Sequence, residues 1–169
     1  EAMGVSRTIV REAIAELAGQ GLLDRRQGRE TLVTLPAAKQ LARLLQLRFA
    51  VAGADYQALE EYREILETSA ARLAAERMQP EDVPRLKSSL QAFIDAETDD
   101  EMFNADQEFH QEIARTARNE MLLLALESTN SLLIELRRRA WAGWISAGNE
   151  VEPVKSAHAE ILQRVLDGD

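Results

Sequence analysis

The chain has 169 residues, 29% of them charged and 46% apolar, which suits one large domain or two small ones with a real core. It has no cysteine, so disulfides, thiolate metal sites and cysteine nucleophiles are excluded, and aromatic residues at 5% argue against base-stacking platforms for single strands. The net charge is −9, unevenly placed: residues 1–36 hold five Arg and five acids, whereas residues 37–169 hold 15 Lys/Arg against 24 acids and so carry all of it. An acidic body repels nucleic acid, which confines any DNA contact to the first 36 residues. No apolar run approaches the roughly 20 residues of a membrane span, and nothing resembles a signal peptide, so a cytoplasmic protein without a membrane partner is expected.

Residues 6–20 place Ile9, Val10, Ala13, Ile14 and Leu17 at helical spacing, with Ser6 as N-cap and Gly21 able to take the left-handed position that ends the helix. Two β-prone runs, 22–24 and 31–35, flank a charged tip containing Gly28 and predict a hairpin, closed by Pro36. Everything afterwards reads as helix. The first, 37–52, stops at Gly53, and a long one over 55–78 is ended by Pro80, which can itself open the next over 81–96. Asp99 or Asp100 is placed to cap a helix running to about Arg118, with Asn119 as its terminator; 121–144 and 152–166 follow. The expected fold is mainly α: a partial winged helix-turn-helix over 1–36, then an all-α bundle of six helices over 37–169.

A helix followed directly by a hairpin with a basic tip is the back half of a winged helix-turn-helix, in which the helix enters the major groove and the wing tracks the backbone beside it. Arg7 and Arg11 lie four apart, off the apolar stripe, and Ser6 and Thr8 stand at the helix N-terminus, where hydroxyls and backbone N–H groups meet phosphates. The alternative is a solvated helix whose arginines pair with Glu12 or Glu16. The stretch GVSRTIVREAIAELAGQGLLDRRQGRETLV closely resembles the recognition helix and wing of GntR-family bacterial transcription regulators. That resemblance implies operator-contacting roles for Arg7, Thr8, Arg11, Gln27 and Gly28. It departs from the family at Ile9, where many members have Pro, and at Glu30, where many have a second wing Gly. Since the sequence begins inside the motif, the resemblance implies a first helix and an opening strand ahead of residue 1.

Both histidines occupy apolar stripes, His110 with Phe103, Asp106, Phe109 and Ile113, and His158 with Val154, Ile161, Leu162 and Val165. Burying an acid and an imidazole costs several kcal/mol unless each finds a partner. Asp106 and His110 are one turn apart on one face, and a divalent metal would satisfy both, with His158 arriving from another helix. The alternative is a core Asp–His hydrogen bond and an unrelated buried His158. The donor set admits Zn²⁺, Ni²⁺ or Mn²⁺. The stretches YREILETSAARLAAER, DQEFHQEIARTARNEMLL and AHAEILQRVLDGD resemble the FCD effector-binding domain of the FadR subfamily. This resemblance implies metal ligation by Asp106, His110 and His158, with a fourth ligand about 22 residues beyond His158. It also implies a cavity where the ion leaves positions open to a small effector, usually a carboxylate.

A carboxylate in a dry pocket needs a bidentate cation, and Arg63 and Arg137 fall towards the inward faces of their helices. Ion pairing to Glu60 or Glu67 is the alternative for Arg63, and snorkelling for Arg137. Asn119 matches the family's Asn after the D-x-x-x-H helix, against the simpler role of a helix cap. Trp141 and Trp144 read as core packing, while the apolar stripe over 41–47 and the helix over 55–78 offer surfaces for a second subunit. The expected function is a homodimeric transcription regulator, not an enzyme, whose binding to double-stranded operator DNA is modulated by a small carboxylate near a metal ion. The alternatives are a metal-free sensor of a larger ligand such as an acyl-CoA, and a small metalloenzyme, which lacks an unassigned general base.

Overall fold

The computed structural model describes residues 4–25, 30–53 and 55–169. Ser6 opens α1 (Arg7–Gly19) by accepting the backbone N–H of Ile9 at 3.3 Å. The helix ends at Gly21, whose φ of 78° is the left-handed conformation expected there. Glycine is needed at that point for space as well, because a Cβ would stand 2.6 Å from Nε2 of Gln40. The chain then forms β1 (Leu23–Asp24), paired antiparallel with β2 (Leu32–Val33) in the register Leu23 to Val33 and Asp24 to Leu32. The hydroxyl of Thr34 ties this hairpin back by donating to the Gly21 carbonyl at 2.8 Å. Gln27 and Gly28 lie outside the described residues.

The body consists of α2 (Ala38–Ala52), α3 (Tyr56–Arg77), α4 (Val83–Asp95), α5 (Asp99–Thr116), α6 (Glu120–Ser146) and α7 (Glu152–Asp167), the six helices expected. The helix α2 ends at Gly53, which takes a positive φ of 84°, and lies along α6 through buried Ala38 and Ala42. Ser128 of α6 donates to the Ala38 carbonyl across that seam. The opposite side of α2 leaves Leu44, Leu47 and Val51 exposed. At the centre stands α5, packed on α3, α4 and α6, while α7 closes the bundle against α3 and α4. Phe109 of α5, Leu86 of α4, Ala74 of α3 and Leu162 and Val165 of α7 form the principal core cluster with Ile113. Burying each of the large side chains stabilises the fold by about 1.5–3 kcal/mol.

Three boundaries differ from the sequence expectation. Thr98, not Asp99 or Asp100, caps α5: its hydroxyl accepts from Glu101 N while Glu101 accepts from Thr98 N, a reciprocal capping box. Pro84 rather than Pro80 stands in the first turn of α4, and Asp82 precedes that helix. Asn119 does not terminate α5, which ends at Thr116. It caps the start of α6, accepting from Leu122 N at 3.2 Å. The reversal is made by Arg118 at φ 48°, whose guanidinium offsets that cost by reaching the Arg77 carbonyl at 3.0 Å and the buried Asp82 at 2.7 Å.

Candidate metal and effector site

The fold brings Asp106, His110 and His158 together. One turn of α5 separates Asp106 from His110, and Asp106 Oδ1 lies 3.7 Å from His110 Nε2. From α7, His158 Nε2 approaches the same Oδ1 to 3.0 Å. Ligand atoms sharing one ion at about 2.0–2.2 Å stand roughly 3–3.5 Å apart, so small side-chain shifts would let all three meet an ion. Phe93 and Phe109 flank the His158 ring, with centroids at 4.5 and 5.0 Å, and hold its plane.

The hydrogen-bond chemistry fits a cation. His158 Nδ1 lies 2.8 Å from the Val154 carbonyl, which can only accept, so the Nδ1 proton is assigned there. A neutral ring would then turn its Nε2 lone pair onto a carboxylate oxygen at 3.0 Å. A second proton or a metal ion must lie between two such acceptors. Burial opposes charge on His158, but the Asp106 and Val154 hydrogen bonds outweigh it and hold the ring above the usual imidazole range. Burial likewise disfavours the Asp106 anion, yet the bond to His158 and the charges of His110, His158 and Arg137 keep it below the usual carboxylate range. Burial prevails at His110, which is pushed down towards the neutral, ligating form despite Glu67 and Asp106 beside it. Asp106 turns its other oxygen away, to the Gln107 amide at 3.0 Å and Arg137 Nη2 at 3.6 Å.

Both arginines stand beside this cluster, already engaged. Arg63 grips Glu67 with two N–H groups at 2.9 and 3.1 Å and reaches Glu60 at 3.0 Å, so the ion pairs weighed from sequence are present. Arg137 donates to Gln107 Oε1 at 2.8 Å, and burial together with the Arg63 charge lowers its pKa. A cavity of about 280 Å³ opens between α3, α5 and α7, with Ala71, Ile113 and Ile161 as apolar walls and Glu67, Thr68 and His110 as its polar side. Asn119 is not drawn into this group: the end of α5 next to it is roughly 15 Å along the helix from Asp106. Glu67 was not singled out from sequence as a site residue, although its Oε2 lies 3.8 Å from His110 Nδ1. Its spacing of four from Arg63 is an ordinary helix-surface pattern, and nothing but the tertiary fold separates it from Glu60, Glu61 and Glu64.

At the other end of the molecule Arg7, Thr8 and Arg11 are exposed on α1, and the Ser6 hydroxyl is committed to its cap. Among the described residues, neither Arg7 nor Arg11 is paired with Glu12 or Glu16. Their charges are therefore available to another molecule.

A helix and hairpin with free arginines, joined to an acidic helical body with a carboxylate–imidazole cluster, has the build of a transcription regulator with a separate helical domain. Comparison with known proteins identifies the family. Residues 58–169 match the FCD domain and residues 1–33 match the bacterial regulatory proteins of the gntR family. The chain is 31% identical to the HTH-type transcriptional regulator LutR of Bacillus subtilis over its full length, spanning 78% of that protein. It is 28% identical to the galactonate operon transcriptional repressor of Escherichia coli, with 85% of this chain matched to 65% of that one. The Glc operon transcriptional activator of Escherichia coli is 25% identical over 98% of this chain and 68% of its own length. Among solved structures, a Streptococcus agalactiae GntR superposes with a TM-score of 0.60 at 26% identity, covering 98% of this chain and 82% of that one. The chain belongs to the GntR family and carries its FCD domain; it is a regulator and not an enzyme.

Proposed function

We propose that this chain is a cytoplasmic, homodimeric, operator-binding regulator whose residues 37–169 bind a divalent transition metal and, next to it, a small carboxylate. The observation that carries the reading is that the ligand atoms of Asp106, His110 and His158 lie within 4.8 Å of one another, with His158 Nε2 and Asp106 Oδ1 at 3.0 Å. Zn²⁺, Ni²⁺ and Mn²⁺ all suit one carboxylate and two imidazoles. The ion supplies positive charge and open coordination positions for an acid. This chain's own contribution is to orient the ligands through Val154 and Gln107, and to offer Arg137 as a carboxylate partner, whereas Arg63, expected in the same role, is taken up by Glu67 and Glu60. Asn119, taken up by its cap, stays outside this reading. A cavity of about 280 Å³ lies at the bottom of the range for drug-sized ligands, which favours a small acid over an acyl-CoA.

In the DNA-binding unit, residues 1–36, we assign groove and backbone contacts to Arg7, Thr8 and Arg11, to the helix N-terminus at Ser6, and to Gln27 and Gly28 of the wing. A second subunit is accommodated by the exposed Leu44, Leu47 and Val51 side of α2, the helix that joins the two units. Two-fold symmetry then matches a palindromic operator. An acid regulates such a dimer only if it binds the DNA-competent and incompetent arrangements with different affinity.

The test uses the full-length protein and duplexes selected from a random pool. Log affinity should fall linearly with log salt, and at least one small carboxylate should shift it in metal-loaded wild type but not in His110→Ala. Failure to bind any duplex, or equal response of the two proteins to every acid, would contradict it.

A further inference from the structure

Each candidate ligand has an outer atom pointing away from the others, and the three differ in how that atom is held. The outer nitrogen of His158 donates to the Val154 carbonyl, and the outer oxygen of Asp106 accepts from Gln107. The outer nitrogen of His110, Nδ1, faces Glu67 Oε2 at 3.8 Å, near but beyond a hydrogen bond. The ring stands between two carboxylates that compete for its N–H, Asp106 at 3.7 Å from Nε2 and Glu67 at 3.8 Å from Nδ1. Glu67 does not wander, because Arg63 bonds both of its oxygens and Glu60 takes the third arm of the guanidinium.

We infer that Arg63 and Glu67 are the outer support of the metal site, Glu67 accepting the Nδ1 proton of His110 when Nε2 binds an ion and Arg63 holding Glu67 in place to do so. This rests on the metal reading above. Were Nε2 to hold an ion, the ring's proton would be left on Nδ1, the side that faces Glu67. A carboxylate accepting there increases the basicity of the ligating nitrogen and fixes the ring plane, as acceptors behind metal-bound imidazoles do generally. Arg63 acts one step further out, as a positioning residue, which gives a reason for its part-buried bidentate pairing that a surface ion pair would not need.

The experiment measures zinc affinity of the full-length protein by competition with a chromophoric chelator, using Zn²⁺ alone. Glu67→Ala should weaken binding by about 10–100-fold. Arg63→Ala should weaken it in the same direction, and the double variant should bind no more weakly than Glu67→Ala, because the two act in series. Glu67→Gln, which keeps an acceptor oxygen, should recover most of the loss. Nitrogen-15 spectra should show His110 moving to the Nδ1–H tautomer on zinc loading in wild type and losing that preference in Glu67→Ala, a signature that a merely structural role would not move. Zinc affinity within twofold of wild type in Glu67→Ala, or losses that multiply in the double variant, would overturn this inference alone. A wild-type protein that binds no zinc would overturn it together with the metal reading.

Discussion

The helices α1 and α5 are both amphipathic and both well capped, yet α1 has none of its 13 residues buried while α5 buries seven of its 18. No apolar side chain before Ala38 is buried among the described residues, and every core cluster lies in the body. Charge follows the same division: the first 36 residues are neutral overall, and the acidic excess lies in the rest. The body therefore holds the stability and the polar cluster that can hold an ion, whereas the first unit displays Arg7 and Arg11, which are exposed and not paired with Glu12 or Glu16 among the described residues. That contrast is what a regulator needs, a firm domain that binds a ligand and a surface that meets something else.

The contrast can be broken most sharply in the core. Phe109→Ala should cost about 3–5 kcal/mol in chemical denaturation, since Phe109 is fully buried among Leu86, Ile113 and Leu162. Ile9→Ala in α1, where the side chain is 55% exposed, should stay within about 0.5 kcal/mol. A comparable loss at the two positions would erase the distinction. Next in size is Asp82→Ala, expected to cost about 2 kcal/mol by leaving the Gln79 N–H and Arg118 without their acceptor. Burial disfavours the Asp82 anion, but Gln79, Arg118 and Arg85 outweigh it and hold its carboxyl below the usual value. A folded-state pKa that is depressed contributes stability above the unfolded value, about 3.9, and loses it as the pH falls further. The melting temperature of wild type should accordingly fall more steeply than that of Asp82→Asn when the pH is lowered from 5 to about 3.

On the side of the first unit, Arg7→Ala and Arg11→Ala should each weaken duplex binding about tenfold and flatten the salt dependence, with no change in the melting temperature. Unchanged affinity would remove them from the contact surface. The smallest effect is expected at the α5 cap, where Thr98→Ala should cost about 1 kcal/mol and shift the melting midpoint by a few degrees.

The sequence was most legible where one period or one residue type decides the structure. The helices of the body follow from 3.6-residue patterning, and Gly21 after α1 and Gly53 after α2 mark stops because both take positive φ. The Thr98–Glu101 capping box was readable too, but the two aspartates beside it made a competing signal. The turn at Arg118 was not, since it uses a non-glycine residue held by a contact 36 positions away, and so Asn119 was expected at the end of one helix when it opens the next. In the site, Asp106 and His110 were placed together by a single helical turn, and His158 by the cost of burying an imidazole in an apolar stripe. That Glu67 and Arg63 stand beside His110 depends on how α3 packs against α5, which no local pattern encodes.

The most direct measurement is metal content by mass spectrometry of full-length protein purified without chelator. About one equivalent of a transition metal per subunit is expected, lost in His110→Ala and in His158→Ala while the fold persists. Metal-free wild type that binds no added Zn²⁺, Ni²⁺ or Mn²⁺, with His158 instead doubly protonated against Asp106, would contradict it.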